Sequence, residues 1–295
     1  MLSLSEQMIH STVRIECSNS AGQISTGTGF FFNFPADGKI VPAIVTNRHV
    51  IQGAVQGRFC ITLANEQNEP TYGMQASIEV QNFDKAWIHH PDSSVDLAIF
   101  LAAPIFNNLI NHRKKPFFVG LDESLIPNKE FIENLTAMEE IVVIGYPNGI
   151  WDSRNNIPII RRGITATPYF IDYKNKKEFL IDCAIFPGSS GSPIFLLNQG
   201  AYPNKSGRLT VDVRFKLLGI VYKTYLHTSD GQIKFVDIPT GLTPIPSVQI
   251  PNNLGICIKS DRILEFKKGL IKNGVRSSSY NNLIIKISII SNLSK

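Results

Sequence analysis

The hydrophobic pattern of this chain is mostly that of strands. Thr12-Val-Arg-Ile-Glu-Cys17 alternates apolar and polar positions, the period of a half-buried strand. Phe30-Phe-Phe is compact and aromatic, and Ile40-Val-Pro-Ala-Ile-Val-Thr46 is rich in β-branched residues. Further short runs fall at Phe59–Leu63, Ala76–Val80, Leu97–Leu101, Ile141–Gly145, Ile159–Ala166, Phe179–Ile185, Pro193–Leu197, Phe215–Tyr222 and Gly255–Ile258. Glycine, proline or asparagine separates most of them. Many short strands with frequent turns predict an all-β protein made of barrels or sandwiches. Pro104, Pro116 and Pro127 mark Ala102–Thr136 as a connection between two halves, and Asn198–Arg208 is a polar loop. Ser260–Gly269 predicts a short helix, capped by Ser260 or Asp261 and ended by Gly269.

Composition narrows the class. A chain of 295 residues can bury one large or two modest cores. Its formal net charge is +5, with basic residues scattered until the C-terminal segment, so nucleic acid is not an expected partner. The first ten residues carry neither a basic n-region nor a long apolar h-region, and no stretch approaches the ~18 apolar residues that span a bilayer. Cys17, Cys60, Cys183 and Cys257 lie far apart without a CxxC pair. Together these predict a cytoplasmic protein with reduced thiols and no membrane association.

Three apolar segments carry reactive side chains. Phe186-Pro-Gly-Ser-Ser-Gly-Ser-Pro-Ile194 sets serines in a glycine turn, where a hydroxyl projects uncrowded and backbone N–H groups can face a developing oxyanion. Val45-Thr-Asn-Arg-His49-Val places a histidine after a β-branched run, and Ser94-Val-Asp96-Leu-Ala-Ile-Phe100 places an aspartate at the start of another. Histidine, aspartate and serine are the parts of an activated-serine hydrolase. Ser189 and Ser192 rival Ser190 within the turn, Asp92 rivals Asp96, and His89 and His90 lie close to Asp96 in sequence. The chain has no HExxH, no paired Cys/His spacing and no phosphate-cradling GxxxxGK[ST], so neither metal nor cofactor is expected.

These pieces, with Gly27-Thr-Gly29-Phe-Phe-Phe, Ile144-Gly-Tyr-Pro-Asn-Gly149 and Leu218-Gly-Ile-Val221, come in one order over residues 8–266. In that order the chain resembles a trypsin-like (chymotrypsin-fold) serine protease, most closely the bacterial HtrA/Deg-type protease domain. The resemblance implies two six-stranded antiparallel β-barrels with the active site between them and a short C-terminal helix. An N-terminal barrel (8–115) would carry His49 and Asp96, a C-terminal barrel (130–270) Ser190, and 271–295 would form a tail. The 29 residues beyond 266 (295 − 266) are too few for the PDZ domain that HtrA-type proteases often carry. The family pattern G-x-S-G-[GS]-P selects Ser190 as nucleophile, His49 as general base and Asp96 as its orienting carboxylate. It also implies an oxyanion hole from the N–H groups of Gly188 and Ser190. Ala184, six residues before the nucleophile, would floor a specificity pocket walled by Tyr222 and Lys223. Ala184 offers no carboxylate to a basic side chain, so small or medium apolar residues are expected before the scissile bond; an inward Lys223 would instead favour acidic ones. The expected activity is a serine endopeptidase acting on polypeptides. A catalytically idle binding module of the same fold and an esterase using the same triad are the alternatives. The β-branched segment Asn282–Ile290 is expected to pair with a sheet edge of its own chain or of a protein partner, or to be a frayed terminus.

Overall fold

The computed structural model describes residues 2–36, 38–227, 233–237, 250–272 and 284–291. The first half runs α1 (Leu4–Ile9), β1 (Thr12–Ser18), β2 (Ile24–Ala36), β3 (Lys39–Thr46), α2 (Arg48–Ile51), β4 (Gln56–Ala64), β5 (Pro70–Gln81), β6 (Ile88–His89) and β7 (Ala98–Leu101). The connection holds α3 (Ala103–Asn111) and α4 (Lys129–Glu133). The second half runs β8 (Glu140–Gly145), β9 (Ile159–Thr165), β10 (Glu178–Asp182), β11 (Pro193–Asn198), β12 (Tyr202–Pro203), β13 (Leu209–Thr210), β14 (Arg214–His227), β15 (Ile233–Asp237) and β16 (Ile250–Lys259). A 3₁₀ helix (Ser260–Phe266), α5 (Lys267–Lys272) and β17 (Ile285–Ser291) follow.

The protein is mostly β, as the strand pattern predicts. In the second half the ladder β11-β8-β9-β10-β16-β14 returns to β11 and closes a six-stranded barrel. The first half differs from the expected second six-stranded barrel. It is an eight-stranded sheet ordered β17-β5-β4-β1-β2-β3-β7-β6. The cause lies at β5, whose one edge pairs with β4 while β17 takes the other from Met74 to Val80. No edge of β5 is left there to close back on β7. The tail segment thus pairs with its own chain, while residues 273–283 and 292–295 of the expected tail lie outside those described.

Strand alternation decides which side chains meet. On β2, Phe30, Phe32 and Phe34 join a cluster shared with Phe195, Leu217 and Ile220 of the second half, whereas Phe31 faces the interior of the first sheet. Ile44 likewise faces that interior while Ala43 and Val45 face the seam. These strands are buried on both faces, which is why they read as continuous apolar runs rather than alternating ones. A third cluster, with Val143, Phe179, Ile194 and Leu218, fills the second barrel.

Two local expectations change. The connection is not simple loop: Ile105, Phe106 and Leu109 of α3 bury against the first sheet, and Pro104 sits in its first turn, where a missing N–H costs nothing. The C-terminal helix has Lys259 at its cap with no side-chain cap bond; Asp261 instead pairs with Lys177, and Ser260 Oγ is buried without a partner among the described residues. Gly269 lies within α5 instead of ending it.

Candidate active site

His49 stands in α2, a single helical turn that breaks β3 immediately after Asn47. Asn47 donates from Nδ2 to the Asp96 carbonyl at 2.9 Å, and Arg48 donates to the Ser93 carbonyl at 3.0 Å. The turn is thereby tied to the segment entering β7. Asp96 accepts the His49 backbone N–H at 3.0 Å on Oδ1 and faces His49 Nδ1 at 2.5 Å with Oδ2. On the other side of the ring, Nε2 lies 2.9 Å from Ser190 Oγ. The three side chains named from the sequence therefore meet at the seam between the halves, although 141 residues separate His49 from Ser190. Burial alone would raise the Asp96 carboxyl, but the hydrogen bonds from His49 and the nearby His49 and Arg48 charges outweigh it, leaving it below the ordinary aspartate value.

The serine turn is held from several directions. Gly188 and Gly191 take φ of +83° and +84°, conformations that favour glycine, and a Cβ on Gly191 would stand 1.9 Å from the Thr28 carbonyl oxygen. Thr28, inside the Gly27-Thr-Gly29 piece, is a hub whose role the motif does not disclose. Its Oγ1 donates to the Gly188 carbonyl at 2.9 Å, its N–H donates to the Ser190 carbonyl at 2.9 Å, and its own carbonyl accepts from Thr46 Oγ1 at 2.7 Å. One buried threonine on β2 thus joins the histidine-bearing half to the serine turn. The Pro187 carbonyl accepts the Asn148 N–H at 2.5 Å, and Gly191 N–H reaches the Val221 carbonyl at 2.9 Å. The Gly188 N–H makes no hydrogen bond among the described residues, so it remains open to an incoming acceptor.

The rival groups, except Ser192, have other partners. Ser189 is bonded to Arg161 and the Phe186 N–H, and Ser192 Oγ is buried without a partner among the described residues. His90 is buried against the C-terminal helix, 3.0 Å from the Arg262 carbonyl, and Asp92 pairs with Arg262 at 2.7 Å. His89 closes the short β6 and lies 3.6 Å from Asp84. Of the expected pocket residues, Ala184 is partly buried and its carbonyl accepts from Arg161. Tyr222 is buried and donates its hydroxyl to Glu178 at 2.7 Å. Lys223 is half-buried, with its ammonium over the Tyr222 ring at 5.0 Å. A cleft of about 260 Å³ adjoins Asp96, lined by Val95, Lys177, Glu178, Tyr222 and Arg262 among others.

A family model, the trypsin-like peptidase domain, matches residues 27–201, a span that takes in His49, Asp96 and Ser190. The chain belongs to the trypsin-like peptidase family. No curated protein matches it in sequence. Among solved structures it is similar to a serine-to-alanine form of the HtrA-type protease AlgW with a tripeptide, at 17% identity and a TM-score of 0.43, covering 91% of this chain and 62% of that one. It is also similar to a mutant of the Tobacco Etch Virus protease, at 10% identity and TM-score 0.42, covering 85% and 86% of the two chains. A thermostable serine protease, AL20 from an extremophilic microorganism, shows 12% identity and TM-score 0.40 over 88% and 97%. The chain spans less than two thirds of AlgW's length.

The four cysteines of this family member are buried, unpaired thiols, each pushed upward in pKa by burial. Among the described residues no group of three or more His, Cys, Asp or Glu side chains could hold a metal ion. No helix among them is long and apolar enough to cross a membrane.

Proposed function

We propose that this chain is a serine endopeptidase working through an acyl-enzyme, with Ser190 as nucleophile, His49 as general base and Asp96 as the group that fixes the histidine tautomer. The observation that carries the reading is the His49 ring, bridging Asp96 Oδ2 at 2.5 Å and Ser190 Oγ at 2.9 Å. With the Nδ1 proton held by Asp96, Nε2 is the free base and accepts the Ser190 hydroxyl proton as Oγ attacks a peptide carbonyl. Negative charge on the carbonyl oxygen is met by the backbone N–H groups of Gly188 and Ser190; losing one such donor costs roughly 10²–10³ in rate. The tetrahedral adduct collapses as His49 returns the proton to the departing amine. Water, deprotonated by the same nitrogen, then releases the acid and restores the hydroxyl. The chemistry needs no cofactor.

The polypeptide segment before the scissile bond would carry a small or medium apolar side chain. Ala184 adds no charge to the pocket floor, Ile185 beside it is buried, and Gly255 packs against Ile185. Buried thiols without disulfides suit work in the cytoplasm. A panel of peptide amides and small esters, run on wild type and Ser190→Ala, tests the assignment. Amide cleavage that vanishes in Ser190→Ala is expected; turnover of esters alone would assign the machinery to an esterase.

A further inference from the structure

Arg161 lies on β9 opposite Val143 of β8, beneath the serine turn. Its Nη1 donates both to the Ala184 carbonyl and to Ser189 Oγ, the latter at 3.0 Å. Among the described residues its Nε and Nη2 are buried with no hydrogen-bond partner, and no carboxylate pairs with it. A buried cation without an anion is costly, and burial accordingly lowers its pKa. The adjacent Arg162 points outward to Glu140 at 2.5 Å, whereas Arg161, partly buried, turns the other way along the strand.

The two groups that Arg161 holds are the ends of one segment. Ala184 begins the run that leads to the nucleophile, and Ser189 precedes it directly. Ser189 Oγ also accepts the Phe186 N–H at 3.3 Å, and the Ser189 N–H returns to the Phe186 carbonyl at 3.0 Å. Thr28 and Asn148 fix the Gly188 and Pro187 carbonyls, while Arg161 grips the segment by other atoms, Ala184 O and Ser189 Oγ. Both bonds come from one guanidinium nitrogen, whose two N–H groups lie at a fixed angle in the rigid plane, so it sets the directions of two acceptors where a freely rotating ammonium would not.

Resting on the Ser190 reading above, we infer that Arg161 is a positioning residue, which through Ala184 O and Ser189 Oγ holds the 184–190 segment in the conformation that aims the Gly188 and Ser190 N–H groups at the oxyanion. It does not touch the reacting atoms. Misplacing such groups by about 1 Å costs on the order of 10²-fold in rate.

The test measures covalent labelling by a fluorophosphonate probe on the full chain, separating the maximal labelling rate from the half-saturating concentration. Arg161→Met should lower the maximal rate ~10–100-fold with the half-saturating concentration within about threefold. Ser189→Ala should lower it in the same sense. The double variant should lose less than the product of the two single losses, because the Arg161–Ser189 contact is common to both. Arg161→Lys keeps the charge and loses the fork, and should label faster than Arg161→Met but slower than wild type. Should Arg161→Met fail to fold, Ser189→Ala and Arg161→Lys decide. Wild-type maximal rates in the folded variants would overturn the inference, as would additive losses. So would a defect confined to peptides with an acidic residue before the scissile bond, which would make Arg161 a specificity residue. Wild-type labelling that persists in Ser190→Ala would instead sink the Ser190 reading itself.

Discussion

Asp96→Asn is the substitution whose outcome the geometry fixes most tightly. The carboxylate has two tasks, accepting the His49 backbone N–H on Oδ1 at 3.0 Å and facing Nδ1 with Oδ2 at 2.5 Å. An amide can do only one of them. With its oxygen toward the backbone N–H, its NH₂ donates to Nδ1, the ring proton moves to Nε2, and Nε2 can no longer accept from Ser190 Oγ 2.9 Å away. With the amide reversed, two donors face each other at the backbone, at a cost of about 1–3 kcal/mol, so the first orientation prevails. The expected loss is the roughly 10⁴-fold in kcat that an Asn in a serine triad brings, about 5 kcal/mol of transition-state stabilisation. Fluorophosphonate labelling rates at neutral pH measure it. Labelling of a folded Asp96→Asn protein within threefold of wild type would refute the tautomer role. The same carboxyl links stability to pH. Its pKa in the folded protein lies below the ordinary value, so its contribution is present above about pH 4 and is lost as pH falls through the folded value. The stability gap between wild type and Asp96→Asn in urea titrations should therefore narrow as pH falls below about 4.

Other substitutions probe the surroundings. Gly191→Ala forces a Cβ to 1.9 Å from the Thr28 carbonyl at a φ of +84°, and should cost about 3 kcal/mol or more together with most activity; an unchanged urea midpoint would contradict the packing described. Ser192→Ala removes a buried hydroxyl with no partner among the described residues, and should leave labelling intact and stability equal or up to about 1 kcal/mol higher. Thr28→Val keeps the shape but loses the donor to Gly188 and the acceptor for the Tyr146 N–H; labelling should slow at least tenfold, on the scale of ~1.4 kcal/mol. Truncation after Lys272 removes β17 and uncovers β5, Ile285 and Ile287 lose their packing on the first core, and thermal unfolding should shift down by about 2–3 kcal/mol equivalent with active-site labelling retained.

What the sequence discloses depends on how each element is buried. The strands from Thr12 to Ile258 are legible because most are covered on one or both faces, so their apolar runs are dense and their turns sharp. Helix α3 is hidden because Pro104 resembles a breaker when it is in fact the first turn. The pairing of β17 with β5 cannot be read locally, since any free edge accepts a β-branched strand. His49, Asp96 and Ser190 stand in motifs whose residue types name their chemistry; Thr28 lies inside the Gly27-Thr-Gly29 piece with no role attached to it, and Arg161 lies in no motif. Thr28 acts through its small size and one hydroxyl between two glycines. Arg161 carries a weak signal, two successive arginines in a β-branched strand, of which alternation must turn one inward. Which one turns depends on the register with β8, a long-range fact.

Mapping the covalent adduct decides whether Ser190 is the nucleophile. Wild-type protein treated with a fluorophosphonate should gain one adduct per chain by intact mass, and peptide mapping should place it on Ser190, with Ser190→Ala and His49→Ala both unmodified. An adduct on Ser189 or Ser192, or labelling that persists in Ser190→Ala, would place the nucleophile elsewhere.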